Sequence, residues 1–127
     1  MEQLMEINLQ NKLDSEFFWR SAEEIADRII SGQSAKNFDL FSTDFTPELR
    51  AKISQENFIV TAERFDRDYG DYQCRKPLGV LNGITCIPVI WLVNFEKTEQ
   101  DFLFQIRLIK LEDRYLVGSV LFKTWIT

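Results

Sequence analysis

From Tyr72 onward the chain contains four strand-like runs, at about 72–81, 84–96, 102–111 and 115–126. They are separated only by Asn82-Gly83, Thr98 to Asp101 and Glu112-Asp113. Links that short leave no room for a crossover, so neighbouring runs must pair as antiparallel hairpins. Between a leading segment of unassigned structure, residues 1–13, and Tyr72 the chain has helical character. Helices first and a meandering sheet second define an α+β domain. The expected architecture is N-terminal helices packed on a curved antiparallel sheet of about four strands, a cone-like roll. At 127 residues the chain is long enough for one domain with one core. The reading assigns residues 1–13 to a leading segment and 14–127 to that single domain.

The second run, CIPVIWLVNFE, is unusual for a half-buried strand because both of its faces are apolar. Ile87, Val89, Trp91, Val93 and Phe95 point one way, and Ile90 and Leu92 the other. If Lys97 pairs with Phe102, Trp91 lies opposite Leu108, Val93 opposite Ile106 and Phe95 opposite Phe104. That gives a continuous apolar face for the helices to cover. The other face then carries Ile90, Leu92, Leu103, Ile109, Leu116, Val120, Phe122 and Ile126, together with Gln105 and Arg107. Either the sheet curls around the helices and its outer face meets a partner, or the helices divide between the faces.

The helices are marked by caps and stripes. Asp14 or Ser15 is placed as the N-cap of the first, which runs to about Ser31 with Gly32 as its stop. Phe18, Ala22, Ile25 and Ile29 form its core stripe, widened by Trp19, Ala26 and Ile30, with Glu23, Glu24 and Asp27 on the opposite side. SAKNFDLFS reads as a short helix. Thr46-Pro47 opens another, and Ser54 caps a last one whose stripe of Phe58, Ala62 and Phe65 extends to Tyr69 before Gly70 ends it.

A type I′ turn at Asn82-Gly83 pairs Leu81 with Ile84 and Gly79 with Cys86. Cys74 then lies about five residues further along, beyond disulfide reach at roughly 3.3 Å per residue. Two free thiols suit a reducing compartment. No run approaches the roughly 20 apolar residues that span a bilayer, and the polar N-terminus lacks an apolar signal region. The reading is therefore cytoplasmic. The net charge of −5 argues against nucleic acid and anionic membranes as partners.

The residue inventory narrows the chemistry. The chain has no histidine, which removes Ser-His-Asp and Cys-His catalysis. Two separated cysteines cannot complete a zinc site, and no GxxxxGK[ST] or GxGxxG cradle is present. Asp66, Asp68 and Asp71 are the densest acidic cluster, but counting from Asp66 puts Gly70 fifth and Pro77 twelfth, against the sixth-position Gly and twelfth-position Glu of an EF-hand loop. A solvated helix end explains them. The expectation is no metal, no cofactor and no catalytic residue. Arg107, mid-strand among aliphatics, suits either a carboxylate anchor or an interface. Trp19, Trp91 and Trp125 suit either a pocket wall or core filling. Phe17 lies off its helix's stripe.

FFWRSAEEIADRIISGQSAKNFDLFS resembles the first helix, polar turn and small second helix of the nuclear transport factor 2-like, or cystatin-like, superfamily. LEDRYLVGSVLFK resembles its charged hairpin and Gly-containing last strand, and FDRDYGDYQCRKPLG the helix-to-strand passage of small bacterial branches. The resemblance implies an α+β cone, a homodimer through the outer sheet face, and a cone pocket for a small, largely apolar ligand. Trp19, Tyr69 and Trp91 are its expected lining and Arg107 its polar anchor. Enzymes of isomerase, cyclase or dehydratase type in this family use a buried Asp, and Asp66 or Asp68 with Tyr69 would be the candidates. Because no acid–base pair can be placed on the apolar face, binding is favoured over catalysis. The alternative is a protein-interaction module, an adaptor or inhibitor, acting through an exposed apolar sheet face.

Overall fold

The computed structural model describes the backbone of residues 2–124 and the side-chain surroundings of residues 16–123. Trp125 and Ile126 lie outside the described residues. Four helices precede four strands: α1 (Glu2–Ser34), α2 (Phe38–Phe41), α3 (Pro47–Lys52), α4 (Gln55–Tyr69), β1 (Tyr72–Val80), β2 (Ile87–Phe95), β3 (Phe102–Leu111) and β4 (Arg114–Thr124). The strands form one open antiparallel sheet in the order β1-β2-β3-β4, the meander that the short links require. No described helix is long and apolar enough to cross a membrane.

α1 is longer than the caps suggested. It begins at Glu2, so Asp14 and Ser15 lie inside it, because the preceding Leu, Met, Glu, Gln and Lys residues are good helix formers and include no Gly or Pro. It also runs past Gly32 to Ser34. Gly32 is there for close approach: a Cβ would stand 2.3 Å from the backbone N of Phe41, so α2 packs directly on the helix backbone. The chain leaves α1 through Lys36, in the left-handed region at φ 55°. Thr46 and Ser54 do cap α3 and α4, accepting from the Leu49 and Asn57 N–H groups. Gly70 ends α4 at φ 78°, donating to the Asp66 and Phe65 carbonyls.

Both hairpins around β2 are wider than expected. Val80, not a residue nearer the turn, is the last pair of β1, opposite Val89, and Leu81 N–H donates to Pro88 O. The two-residue turn at Asn82-Gly83 would have set Pro77 against Pro88, two residues without N–H groups at one ladder position. The observed register puts Pro77 opposite Trp91 and Gly79 opposite Ile90. Between β2 and β3, Trp91 lies opposite Phe104 and Val93 opposite Phe102, because the link turns on Thr98, whose hydroxyl accepts from the Gln100 N–H. The slip between β2 and β3 is even-numbered and the shift of Pro77 moves only β1, so the face assignment of β2 and β3 survives both.

β4 does change faces. Ile109 pairs with Leu116 and Leu108 with Val117, but Arg107 pairs with Ser119, which leaves Gly118 as an unpaired bulge residue. A residue added to one strand reverses the alternation beyond it. Val120 and Phe122 therefore lie opposite Ile106 and Phe104 on the inner face, not on the outer one, and Leu121 takes the outer position opposite Gln105.

All four helices lie on the inner face. Ile25 and Ile29 of α1, Phe41 and Phe58 of α2 and α4, and Trp91 and Phe104 of the sheet belong to one buried cluster. The outer residues Ile90, Leu92, Leu103, Ile109, Leu116 and Leu121 are not packed against it. The open edge of β4 is shielded where Phe45 bridges Val117, with Thr46 N–H donating to Val117 O and Val117 N–H to Asp44 O.

Candidate functional site

The inner face is filled by its own side chains. Trp91 stacks on Phe104 at 5.3 Å between centroids, and Phe104 on Phe122 at 4.6 Å. Trp91, Phe104, Ile106 and Leu108 have no solvent exposure. The sequence-predicted pocket residues do not converge on a space. Trp19 is half-buried and meets Trp91 edge-on at 6.3 Å, so these two are neighbours. Tyr69 packs instead on Phe102 at 4.7 Å, at the α4 end of the core. Arg107 is exposed on the opposite face of the sheet, opposite Pro88 and Ser119, and cannot anchor anything held against Trp91. A cleft of about 320 Å³ opens between α4 and β4, walled by Phe41, Phe58, Phe65, Val120 and Phe122, and others lie at the rim. One of about 440 Å³ is bordered by Phe17, Phe18, Val80, Ile87, Lys110 and Tyr115.

The polar group that meets the inner face is Glu23, which the helical stripe had placed on the solvent side with Asp27. Its Oε1 accepts from Trp91 Nε1 at 2.6 Å and its Oε2 from Arg75 Nη2 at 2.7 Å. Arg75 Nη2 also reaches Asp27 Oδ1 at 2.7 Å and donates to the Glu23 backbone carbonyl at 3.2 Å. Burial opposes the Arg75 charge, and the hydrogen bonds to Asp27 and Glu23 outweigh it, so the guanidinium pKa is raised. A carboxylate engaged on both oxygens by permanent donors serves as an acceptor, not as a general base. The signal for this network was available. A Trp on an apolar face needs an acceptor for its N–H, and Trp19, Glu23 and Asp27 are spaced at i, i+4 and i+8 along α1.

The Asp cluster is likewise committed. Asp66 Oδ2 accepts from Lys36 Nζ at 2.6 Å, and Asp68 pairs with Arg67 at 3.2 Å. Neither reaches the inner face. Cys74 and Cys86 are both free, with Cys74 opposite Asn94 on the outer face.

The outer face of the sheet has its own composition. Its strand positions hold the six aliphatic residues named above and Leu111, and their charged residues are Lys76, Arg107, Arg114 and Lys123, while Asp101 of the link before β3 accepts from the outer Asn94 side chain. None of the four strands contains an Asp or Glu, although the chain has 20 acids against 15 bases. Charge is thus segregated between acidic helices and links and a cationic sheet. Among the described residues, none of these four cations enters an ion pair.

No family model matches the chain, and no curated protein matches it. Solved structures resemble its fold. A SEC-C motif containing protein from Rhodopseudomonas palustris aligns with a TM-score of 0.53 at 16% identity, over 72% of this chain and 70% of that one. A protein of Bdellovibrio bacteriovorus aligns with a TM-score of 0.52 at 7% identity, over 84% of this chain and 40% of the other. A scytalone dehydratase-like protein from Novosphingobium aromaticivorans aligns over 88% of this chain and 87% of its own, at 10% identity and a TM-score of 0.49. At these identities the likeness concerns fold alone: a helix-led α+β domain.

Proposed function

We propose that this chain is a non-catalytic docking domain of nuclear transport factor 2-like type that works through the outer face of its sheet. One observation carries the reading. Ile90, Leu92, Leu103, Ile109, Leu116 and Leu121 form an apolar face that no described side chain of the core packs against. Leu121 is exposed and the other five are half-buried, and a contiguous solvent-accessible apolar surface on a folded domain is a mark of an interaction site. Glu23 is engaged on both oxygens, and the cleft between α4 and β4 is lined by no Asp or Glu, so neither supplies a free carboxylate base for isomerase or dehydratase chemistry.

The test is to replace Leu92, Leu103 and Leu121 singly by Gln and measure urea unfolding and binding of a hydrophobic dye. On a free docking face each change shifts stability by less than about 1 kcal/mol, while dye binding falls. If each costs about 2 kcal/mol or more and the native chain binds no dye, the face is covered from within the chain and the reading fails.

A second reading is favoured by the rim cleft. Phe17, Phe18 and Tyr115 supply an apolar wall there, and Lys110 Nζ stands 6.0 Å from the Tyr115 ring centroid. An apolar carboxylate would fit that combination. Decanoate should then raise the melting temperature of the native chain and not of Lys110→Ala; equal shifts would reject the site.

A further inference from the structure

We infer that the outer face of the sheet receives an amphipathic helix of another protein, a helix carrying an aliphatic stripe flanked by carboxylates. The inference rests on the docking reading and adds the chemistry of the partner. Three features of the face lead to it.

The first is the sign of its charge. Lys76, Arg107, Arg114 and Lys123 are its only charged strand residues. A second copy would present the same four cations, with Asp101, which accepts from the outer Asn94 side chain at one end of the face, as the acid seen to answer them. Like charges brought together at an interface are unfavourable, so a sheet-to-sheet homodimer is the poorer occupant. A partner that supplies carboxylates is the better one.

The second is spacing. Lys76, Leu92, Leu103 and Lys123 are successive partners across all four strands, so they form one row. Strands lie about 4.8 Å apart, which separates the two lysine backbones by about 14 Å. An α-helix with its side chains is about 10–12 Å across. A helix lying along β2 and β3 would rest its apolar stripe on Leu92 and Leu103. Its two flanks would then face Lys76 on one side and Lys123 on the other. Ile90 and Leu121 continue the apolar track in the next row, opposite and beside Gln105.

The third is the state of the sheet edges. Pro77 and two register shifts interrupt β1, and the Phe45 bridge occupies part of the β4 edge. Addition of a partner strand is hindered at both. The face itself is the open approach. Nucleic acid fits poorly, because the outer strand positions offer no aromatic ring for base stacking. An anionic bilayer would meet the long-range repulsion of a chain with a net charge of −5.

The experiment uses the full chain and three labelled 18-residue helical peptides that share one leucine stripe, flanked by Glu, Gln or Lys. Fluorescence anisotropy should find the Glu peptide bound at least tenfold more tightly than the Gln peptide, with the Lys peptide weakest. Raising NaCl from 50 to 300 mM should weaken the Glu peptide about tenfold, as expected for exposed charges. The Lys76→Glu, Lys123→Glu double variant, checked for fold by circular dichroism, should lose the Glu peptide and gain the Lys peptide. That exchange of preference is an effect a structural role would not produce. Equal binding of Glu and Gln peptides would overturn the inference. So would a homodimer that strengthens with salt in sedimentation equilibrium, or capture of phosphatidylglycerol vesicles or single-stranded DNA in place of the peptides. If no peptide binds while the Gln substitutions above are tolerated, the partner chemistry is wrong and the docking reading stands. If those substitutions unfold the chain, the docking reading itself has failed.

Discussion

The indole N–H of Trp91, fully buried in the centre of the sheet, donates to the Glu23 carboxylate of α1 at 2.6 Å. This bond joins the two layers of the domain at a point where the buried indole N–H has no water to turn to. Trp91 is surrounded by apolar side chains, and Glu23 is held in place from its other oxygen by Arg75. Glu23→Ala should therefore destabilise the chain by about 2 kcal/mol, since it strands a buried donor. In a Trp91→Phe background, which has no donor to strand, the same substitution should cost less by about 1 kcal/mol or more. Urea unfolding of the four proteins measures the difference. Additive costs would mean that the bond contributes nothing.

Gly32 should be irreplaceable despite its position in a helix. Elsewhere in a helix, Gly→Ala gains about 1 kcal/mol of propensity. Here the new Cβ would stand 2.3 Å from the Phe41 nitrogen and 2.5 Å from its Cα, both backbone atoms that cannot rotate away. α2 must move off α1. Gly32→Ala should cost about 2 kcal/mol or more net, measured as a fall in the urea midpoint. A stabilised variant would mean that α2 does not pack there.

These two positions show how far the sequence could be followed. The order of helices and strands, the caps at Thr46 and Ser54, and the inner face of β2 all follow from local pattern and short links. Local pattern fails where one residue has a long-range duty. Gly32 resembles a helix stop because a stop and a close-packing glycine have the same side chain. The Gly118 bulge shifts β4 by one residue and carries Val120 and Phe122 to the inner face, and no alternation rule reveals an extra residue. The clash of Pro77 with Pro88 was readable and would have excluded the two-residue turn. For the candidate site, the apolar outer face was visible in Ile90 and Leu92. The cationic character of its strand positions emerged only when register placed Lys76 and Lys123 beside Arg107 on that face.

The β3–β4 turn can be improved. Leu111 pairs with Arg114, so Glu112 and Asp113 form a two-residue loop, and Glu112 has φ 59°. A positive φ at the first loop residue alone is the pattern of a type II′ turn, which favours Gly there. The left-handed region costs an ordinary residue about 1–2 kcal/mol, and Gly returns part of that through the entropy of the unfolded chain. Glu112→Gly should raise stability by up to about 1 kcal/mol, read as a higher urea midpoint with unchanged slope. Glu112→Val, which is β-branched, should lower it. The reverse order would mean that the turn does not hold this conformation.

The contact between Lys36 and Asp66 should give stability a dependence on alkaline pH. Hydrogen bonding to Asp66 raises the Lys36 pKa above its ordinary value of 10.5, against a smaller opposing effect of desolvation. A base whose pKa is raised on folding contributes fully below its unfolded pKa, and that contribution is lost as the pH rises through the folded one. The difference in urea midpoint between the native chain and Lys36→Gln should therefore be constant from pH 7 to about pH 10 and shrink above it. Every other side chain is the same in both proteins, so the comparison isolates this contact. Asp66→Asn should remove most of the same alkaline dependence without touching Lys36, because it replaces the carboxylate that holds the ammonium charged by a neutral amide. A difference that grows with pH would carry the wrong sign, and the Lys36–Asp66 contact would then not be the one that ties α4 to the end of α1.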